Sequence, residues 1–436
     1  MTPSPAALTA PLRSRRTVFL ICWLCLVADG YDLYVYGATL PAMIGRAPWN
    51  ITAAEGGLVG SLALVGMLIG SLGAGMLTDR LGRRKLFVVS LTTFSVFMVA
   101  CALAPSFAVF GIFRFLACVG VGGLLPTAVA LATEFADPAH RSRILGAVLT
   151  GPAVGTVIAS LVSLTTLDSY GFRPVYATGG IMLLFVVVVW RSLPESPAFL
   201  QIVGRTEEAA SVRAAYGLPE DTAPIRTERR GSPVGLFVEG RARATLLIWL
   251  ATFCSLLTIF GIATWLPQIM KKTGYGLGSS VTFLLVYSIG AVIGTLIASR
   301  IAERVGPKRL VVVGFGSAVL ALAVMSFQPP AAVLVVCVLL AGFGGLGTQN
   351  VLNDFIARTY PAPLRATGLG WALGVGRVGA IVGPTYGAVM VAGEGGLRIA
   401  ALGFVIPAVL GAIFIAGAPA ARRASTRADT VSASPH

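Results

Sequence analysis

Apolar residues fall in long blocks along this chain, separated by short polar runs rich in Arg and Lys. The first block, Thr17 to Leu40, is 24 residues long, and Asp29 and Asp32 are its only charges. A membrane-crossing helix takes about 20 apolar residues at roughly 1.5 Å rise each. Twelve blocks meet that length: 17–40, 56–77, 86–104, 107–133, 143–165, 172–190, 244–266, 279–301, 309–328, 331–354, 366–392 and 396–417. The pattern predicts an all-α membrane protein with twelve transmembrane helices. The length of the first block and its lack of a small-residue cleavage site make it a span and not a signal peptide.

Composition agrees. Hydrophobic residues make up 56% of the chain, charged residues 12%, and the mean hydropathy is +0.84; a polytopic membrane protein needs that much apolar surface and a soluble one does not. In a soluble protein the net charge of +15 would suggest nucleic acid. Its distribution says otherwise. With both termini cytoplasmic, 26 of the 33 Lys and Arg residues fall in cytoplasmic loops and tails; Arg46, Arg114, Arg173, Lys271, Lys272, Arg377 and Arg398 are the exceptions. That is the positive-inside pattern for an even number of spans, and it turns the basic patches toward the anionic lipid surface.

Cysteine and histidine add no chemistry. All six cysteines lie in apolar spans, and the Cys22/Cys25 pair has no histidine or further cysteine nearby, so buried packing is the better reading. Two histidines, one of them the last residue, leave no basis for a metal site. No P-loop pattern occurs, so ATP is not the driving force, no cofactor is expected, and nothing suggests an enzyme.

The chain reads as two halves. Residues 1–190 form one six-helix bundle with a short cytoplasmic tail, and 244–417 form the other. The cytoplasmic loop 191–243 joins them, with a surface helix expected over 199–216 and flexible linker in "GLPEDTAPIRTERRGSP"; 418–436 is expected to be a disordered tail. "GMLTDRLGRRK" (75–85) is answered by "SRIAERVGPKR" (299–309), and "HRSRILG" (140–146) by "LRATGLG" (364–370). Asp79 maps to Glu303, Arg80 to Arg304 and Gly82 to Gly306, always 224 residues on. A constant offset at motif positions implies two homologous bundles related by a pseudo-two-fold axis along the membrane normal.

Gly75, Asp79, Arg80, Gly82, Arg83 and Arg84 fit G-x-x-x-D-R-x-G-R-R, the loop signature of the major facilitator superfamily, and the resemblance covers essentially the whole chain. "FRFLACVGVGG" (113–123) resembles its fourth-helix motif. "PESP" (194–197) resembles its end-of-helix-six motif, although the arginine that usually follows is Ala198. Within the superfamily the chain is similar to the aromatic acid:H⁺ symporters. It shares the first-helix D-G-x-D (Asp29, Gly30, Tyr31, Asp32), "WLP" (265–267), "TQNVLND" (348–354) and "RATGLGWALGVGRVGAIVGP" (365–384). The resemblance implies proton-coupled uptake of an aromatic carboxylate, such as a benzoate or hydroxybenzoate, by alternating access. The expected partners are that acid, H⁺ and the lipid bilayer. The expected setting is the bacterial cytoplasmic (inner) membrane, with the protein a monomer.

Asp29 and Asp32 lie about 60° apart on one helix face, and Tyr36 extends it. Burial disfavours a charged carboxylate and a second carboxylate nearby disfavours it further, so such a pair suits proton coupling, with Arg114 as its partner or as a structural cation. Pairing with Arg114 or Arg377 for packing alone remains an alternative. Arg377, roughly mid-depth among glycines, stays charged and offers bidentate geometry to a substrate carboxylate. Tyr36 and Trp265 could stack on a ring; Gln349, Asn350 and Asn353 could read a ring hydroxyl or bond between helices. Asp79, Arg80, Gly82, Arg83, Glu134, Arg141, Glu303 and Arg304 are candidate gating residues. "GPAVG" (151–155) and "GPTYG" (383–387) read as small residues for close helix packing. Two other functions stay open: a proton-coupled exporter of drugs or metabolites, and a non-transporting receptor on the same fold.

Overall fold

A computed structural model describes residues 14–45, 48–137, 139–219, 233–393 and 396–419. The N-terminal tail, most of the expected linker and the C-terminal tail lie outside the described residues, as do the side chains of Asp79 and Glu303. Among the described residues, twelve helices are long and apolar enough to cross a membrane. They are α1 (Arg15–Met43), α2 (Ala53–Thr78), α3 (Arg83–Leu103), α4 (Phe107–Phe135), α5 (Arg143–Tyr170) and α6 (Arg173–Ser192), then α7 (Ala242–Lys272), α8 (Leu277–Ala302), α9 (Pro307–Met325), α10 (Ala331–Thr359), α11 (Thr367–Ala392) and α12 (Arg398–Gly417). The only β-type pairing among the described residues is an isolated bridge between Ile44 and Ile51.

Local chemistry sets several ends. Thr52 and Glu55 form a reciprocal capping box that starts α2, the carboxylate taking the Thr52 N–H at 2.8 Å. Pro41, Pro126, Pro267 and Pro384 stay inside their helices; neighbouring helices in a membrane bundle can satisfy the carbonyl each frees. Between the sixth and seventh spans the surface carries helices Pro197–Ile202 and Thr206–Tyr216, where the sequence predicts one over 199–216.

The internal repeat is visible atom by atom. Gly82 (φ +84°) and Gly306 (φ +89°) make the same turn, between α2 and α3 and between α8 and α9, in a region a side chain rarely enters. Arg84 donates to the Trp190 carbonyl at the end of α6. Lys308, 224 residues on, donates to the Ala416 carbonyl (3.0 Å) at the end of α12. Gly155 of α5 lies against the Val27 carbonyl of α1 with no room for a Cβ, and Gly379 of α11 lies likewise against Phe253 of α7. The glycine-rich stretches of α5 and α11 thus serve close helix packing.

The first six spans pack as one bundle and the last six as another, meeting along α1, α2 and α5 on one side and α7, α8 and α11 on the other. Recorded contacts across the seam concentrate at the end carrying the Ile44–Ile51 bridge. Lys271 donates to the Pro41 carbonyl, Ser61 and Thr385 share a 2.7 Å hydrogen bond, and Gly37 lies against the Ala263 carbonyl.

Candidate functional site

Asp32 and Arg114 form a fully buried ion pair between α1 and α4, at 1% and 3% side-chain exposure. Arg114 also donates to the backbone carbonyl of Asp32 at 2.6 Å, and the Cys118 thiol donates to its second carboxylate oxygen at 3.3 Å. Three contacts from α4 therefore hold one residue of α1. A guanidinium this deep stays charged, so the pair is an immobile dipole unless a proton or a rotation breaks it.

Asp29, one turn earlier, is equally buried but differently served. Its Oδ1 has no hydrogen-bond partner among the described residues. Its charge interacts with Asp32 in its own bundle and with Arg377 across the seam. Arg377 is half-buried on α11, where Gly376 and Gly379 bring the helix backbone against Thr252 and Phe253 of α7. A carboxylate with unsatisfied valence opposite a guanidinium that it does not close upon is a place where an anion can insert, with the aspartate taking a proton as it is displaced.

The aromatic and amide candidates already have partners. The Tyr36 hydroxyl donates to the Gly56 carbonyl at 2.5 Å, and its ring stacks at 6.4 Å from Phe110. Trp265 is fully buried, its indole N–H donating to the Pro384 carbonyl at 2.7 Å. Asn350 donates to Thr295 of α8 at 3.1 Å, and Gln349 donates to Asn353 at 3.0 Å, which are hydrogen bonds of the packing kind. Tyr36 does border, with Asp32, Arg114 and Thr264, a small cavity between α1, α2, α4 and α7.

At the opposite end the loop residues form a connected group. Arg83, at the start of α3, pairs with Glu134 at the end of α4, and Glu134 also accepts from the Ser196 hydroxyl. Glu195 accepts the backbone N–H groups of Arg83 and Arg84 at 2.9 and 3.0 Å, so a carboxylate sits on the positive end of α3. Gly82 is packed against Glu195 and Phe199. Arg80, Arg141 and Arg304 are exposed.

Sequence reasoning picked out the PESP stretch but not Glu195 as the residue that ties it to α3. A carboxylate in that stretch facing a glycine turn with helix-starting arginines was the available signal. Cys118 and Lys271 gave no signal of their own: one reads as core, the other as a loop charge.

The comparisons with known proteins fit this geometry. The model of the Major Facilitator Superfamily matches residues 22–384 and 248–433. The chain is 33% identical to the gentisate transporter of Corynebacterium glutamicum, over 92% of this chain and 86% of that one. It is 31% identical to the benzoate transport protein of Acinetobacter baylyi, over 91% and 88%. The fold is similar to that of the E. coli xylose transporter, with a TM-score of 0.74 at 18% identity, covering 94% of this chain and 99% of that one. Proteins of this kind are membrane transporters and not enzymes. The chain belongs to the major facilitator superfamily, and its relatives there include aromatic-acid transporters.

Proposed function

We propose that the protein is a proton-coupled uptake symporter for an aromatic carboxylate, working by alternating access in the bacterial inner membrane with both termini cytoplasmic. One observation carries the reading: Asp29 is buried on α1 with an unpartnered Oδ1, and Arg377 is half-buried on α11 of the other bundle, with no ion pair recorded between them. Arg377 is then the fixed cation for the substrate carboxylate, and Asp29 the group that takes a proton when that carboxylate arrives. Acid and proton together add no net charge between the bundles, which lowers the cost of crossing a low-dielectric seam. Asp32 and Arg114 are the second element, a buried pair whose opening would couple protonation to rotation of α1 against α4.

The positive-inside pattern assigns the Lys271–Pro41 end to the outside. The protein is then closed outward, and the Arg83–Glu134 and Glu195 contacts belong to the cytoplasmic face. Relatives named for gentisate, benzoate and 4-hydroxybenzoate support the substrate class. The test is uptake of these three acids into proteoliposomes. Accumulation should follow an imposed inward proton gradient and collapse on adding a protonophore. Accumulation that persists without a proton gradient rejects symport.

A further inference from the structure

Buried tyrosine hydroxyls in this protein generally have partners. Tyr31 donates to the Val175 carbonyl, Tyr36 to Gly56 and Tyr360 to Thr245, while Tyr176 bonds with Thr39. Tyr34 on α1 and Tyr287 on α8 break the pattern. Their rings are buried, at 4% and 1% exposure, and neither hydroxyl has a hydrogen-bond partner among the described residues. The two come from opposite bundles, on α1 and α8, which touch each other across the seam. A phenol shut away from water and left unpaired costs free energy, so two of them on touching spans call for an explanation.

We propose that the Tyr34 and Tyr287 hydroxyls form a subsite for a ring hydroxyl of the transported acid, making the protein selective for hydroxylated aromatic carboxylates over benzoate. This rests on the aromatic-acid reading above.

Three features of the geometry support it. Tyr34 lies five residues along α1 from Asp29, roughly 7.5 Å of helix rise toward the closed end. That rise matches the length of a ring with its carboxylate at the level of Arg377, while the same five residues turn Tyr34 about 140° around α1 from Asp29. The Tyr287 hydroxyl abuts Gly345, where a Cβ would stand only 2.9 Å from the oxygen, so a glycine is what lets the phenol sit against α10. Gly345 also lies in a π-helical turn, Phe343–Gly347, that interrupts α10; such turns concentrate at functional sites. Ile259 of α7 borders the same point, so three spans of the second bundle converge there. A phenol can both donate and accept, so the two together can satisfy a substrate hydroxyl in either sense. Such a site penalises an analogue lacking the group, because its own polar atoms stay unpaired.

The test measures equilibrium binding of benzoate, 4-hydroxybenzoate and gentisate to the purified full chain and to Tyr34→Phe and Tyr287→Phe. Wild type should bind at least one hydroxylated acid about ten-fold tighter than benzoate. Each variant should lose about ten-fold for that acid while its benzoate affinity stays within about two-fold. An equal loss for all three acids overturns the subsite and makes the phenols part of the conformational equilibrium. Unchanged affinity for the hydroxylated acids, or a wild-type preference for benzoate, overturns it as well. Phenylalanine keeps the ring packing, and an unchanged melting temperature in each variant verifies that only the hydroxyl was removed. If wild type binds none of the three, the aromatic-acid reading itself fails, and the subsite with it.

Discussion

Asp32 is locked to Arg114 within the first bundle, while Asp29, one helical turn away, is as deeply buried but has an Oδ1 with no partner among the described residues. Two carboxylates three residues apart therefore do unlike jobs. One holds helices together. The other, in the proposed mechanism, takes a proton when the acid comes between the bundles.

That division predicts different phenotypes for the two amides. Asp32→Asn leaves Arg114 buried without its counter-ion and should lower stability by about 3–5 kcal/mol, visible as a fall in melting temperature in detergent. Adding Arg114→Met should recover part of the loss. Asp29→Asn should melt near wild type yet fail to accumulate substrate on a proton gradient, since an amide releases no proton. If Asp29→Asn destabilises as much as Asp32→Asn, Asp29 is a packing residue.

Gly82 carries the second prediction. Its φ of +84° with ψ of 160° lies in a region essentially reserved for glycine and costs an alanine about 1–3 kcal/mol, and the added Cβ would stand 2.5 Å from Glu195 Oε2. Gly82→Ala should therefore push Glu195 off the N-terminus of α3, and Glu195→Ala should have the same effect without the strain. Both should slow transport while leaving affinity for the acid, measured in detergent, within about two-fold. A change in affinity in step with the change in rate would mean this end of the protein shapes the binding site.

Much of this was legible in the residues, and the rest depended on rotation. Hydropathy located all twelve spans but ended most of them early. The seventh was expected over 244–266 and runs Ala242–Lys272, because the helix continues through Pro267 beyond the apolar window. The offset of 224 residues announced the two bundles, and Gly82/Gly306 and Gly155/Gly379 obey it. Partner choice was not legible. Whether Arg114 meets Asp29 or Asp32 turns on how α1 and α4 are rolled about their axes, which spacing within one helix does not fix. Tyr34 was hidden for the same reason: among Tyr31, Asp32 and Tyr36 only the packing distinguishes a satisfied phenol from an orphaned one.

Lys271 supplies a test of the closed end. Its ammonium donates to the Pro41 carbonyl in the last turn of α1, a contact that joins the bundles and favours the negative end of that helix. Lys271→Met should loosen the seam. Ser61, buried there against Thr385, reports it. A Ser61→Cys thiol should react with a membrane-impermeant maleimide added outside faster in the Lys271→Met background than without it. Equal rates would show that the lysine does not hold the seam.

Arg377 is the residue on which the proposed mechanism turns, and its prediction is the sharpest. It is half-buried, it is set among glycines that press α11 onto α7, and its charge reaches Asp29 without closing on it. Removing one partner of a desolvated charge pair costs about 2–5 kcal/mol, roughly thirty-fold or more in affinity. Arg377→Ala should thus lose nearly all binding of the aromatic acid. Arg377→Lys keeps the charge but loses the planar fork, so it should bind at an intermediate level. Titration in detergent separates this from any effect of the gradient. Removing the guanidinium also leaves the buried Asp29 without that opposing charge, so Arg377→Ala with Asp29→Asn should be better folded than Arg377→Ala alone and still not bind. Wild-type affinity in Arg377→Ala would place the substrate carboxylate elsewhere, and Arg114, released from Asp32, would be the next cation to examine.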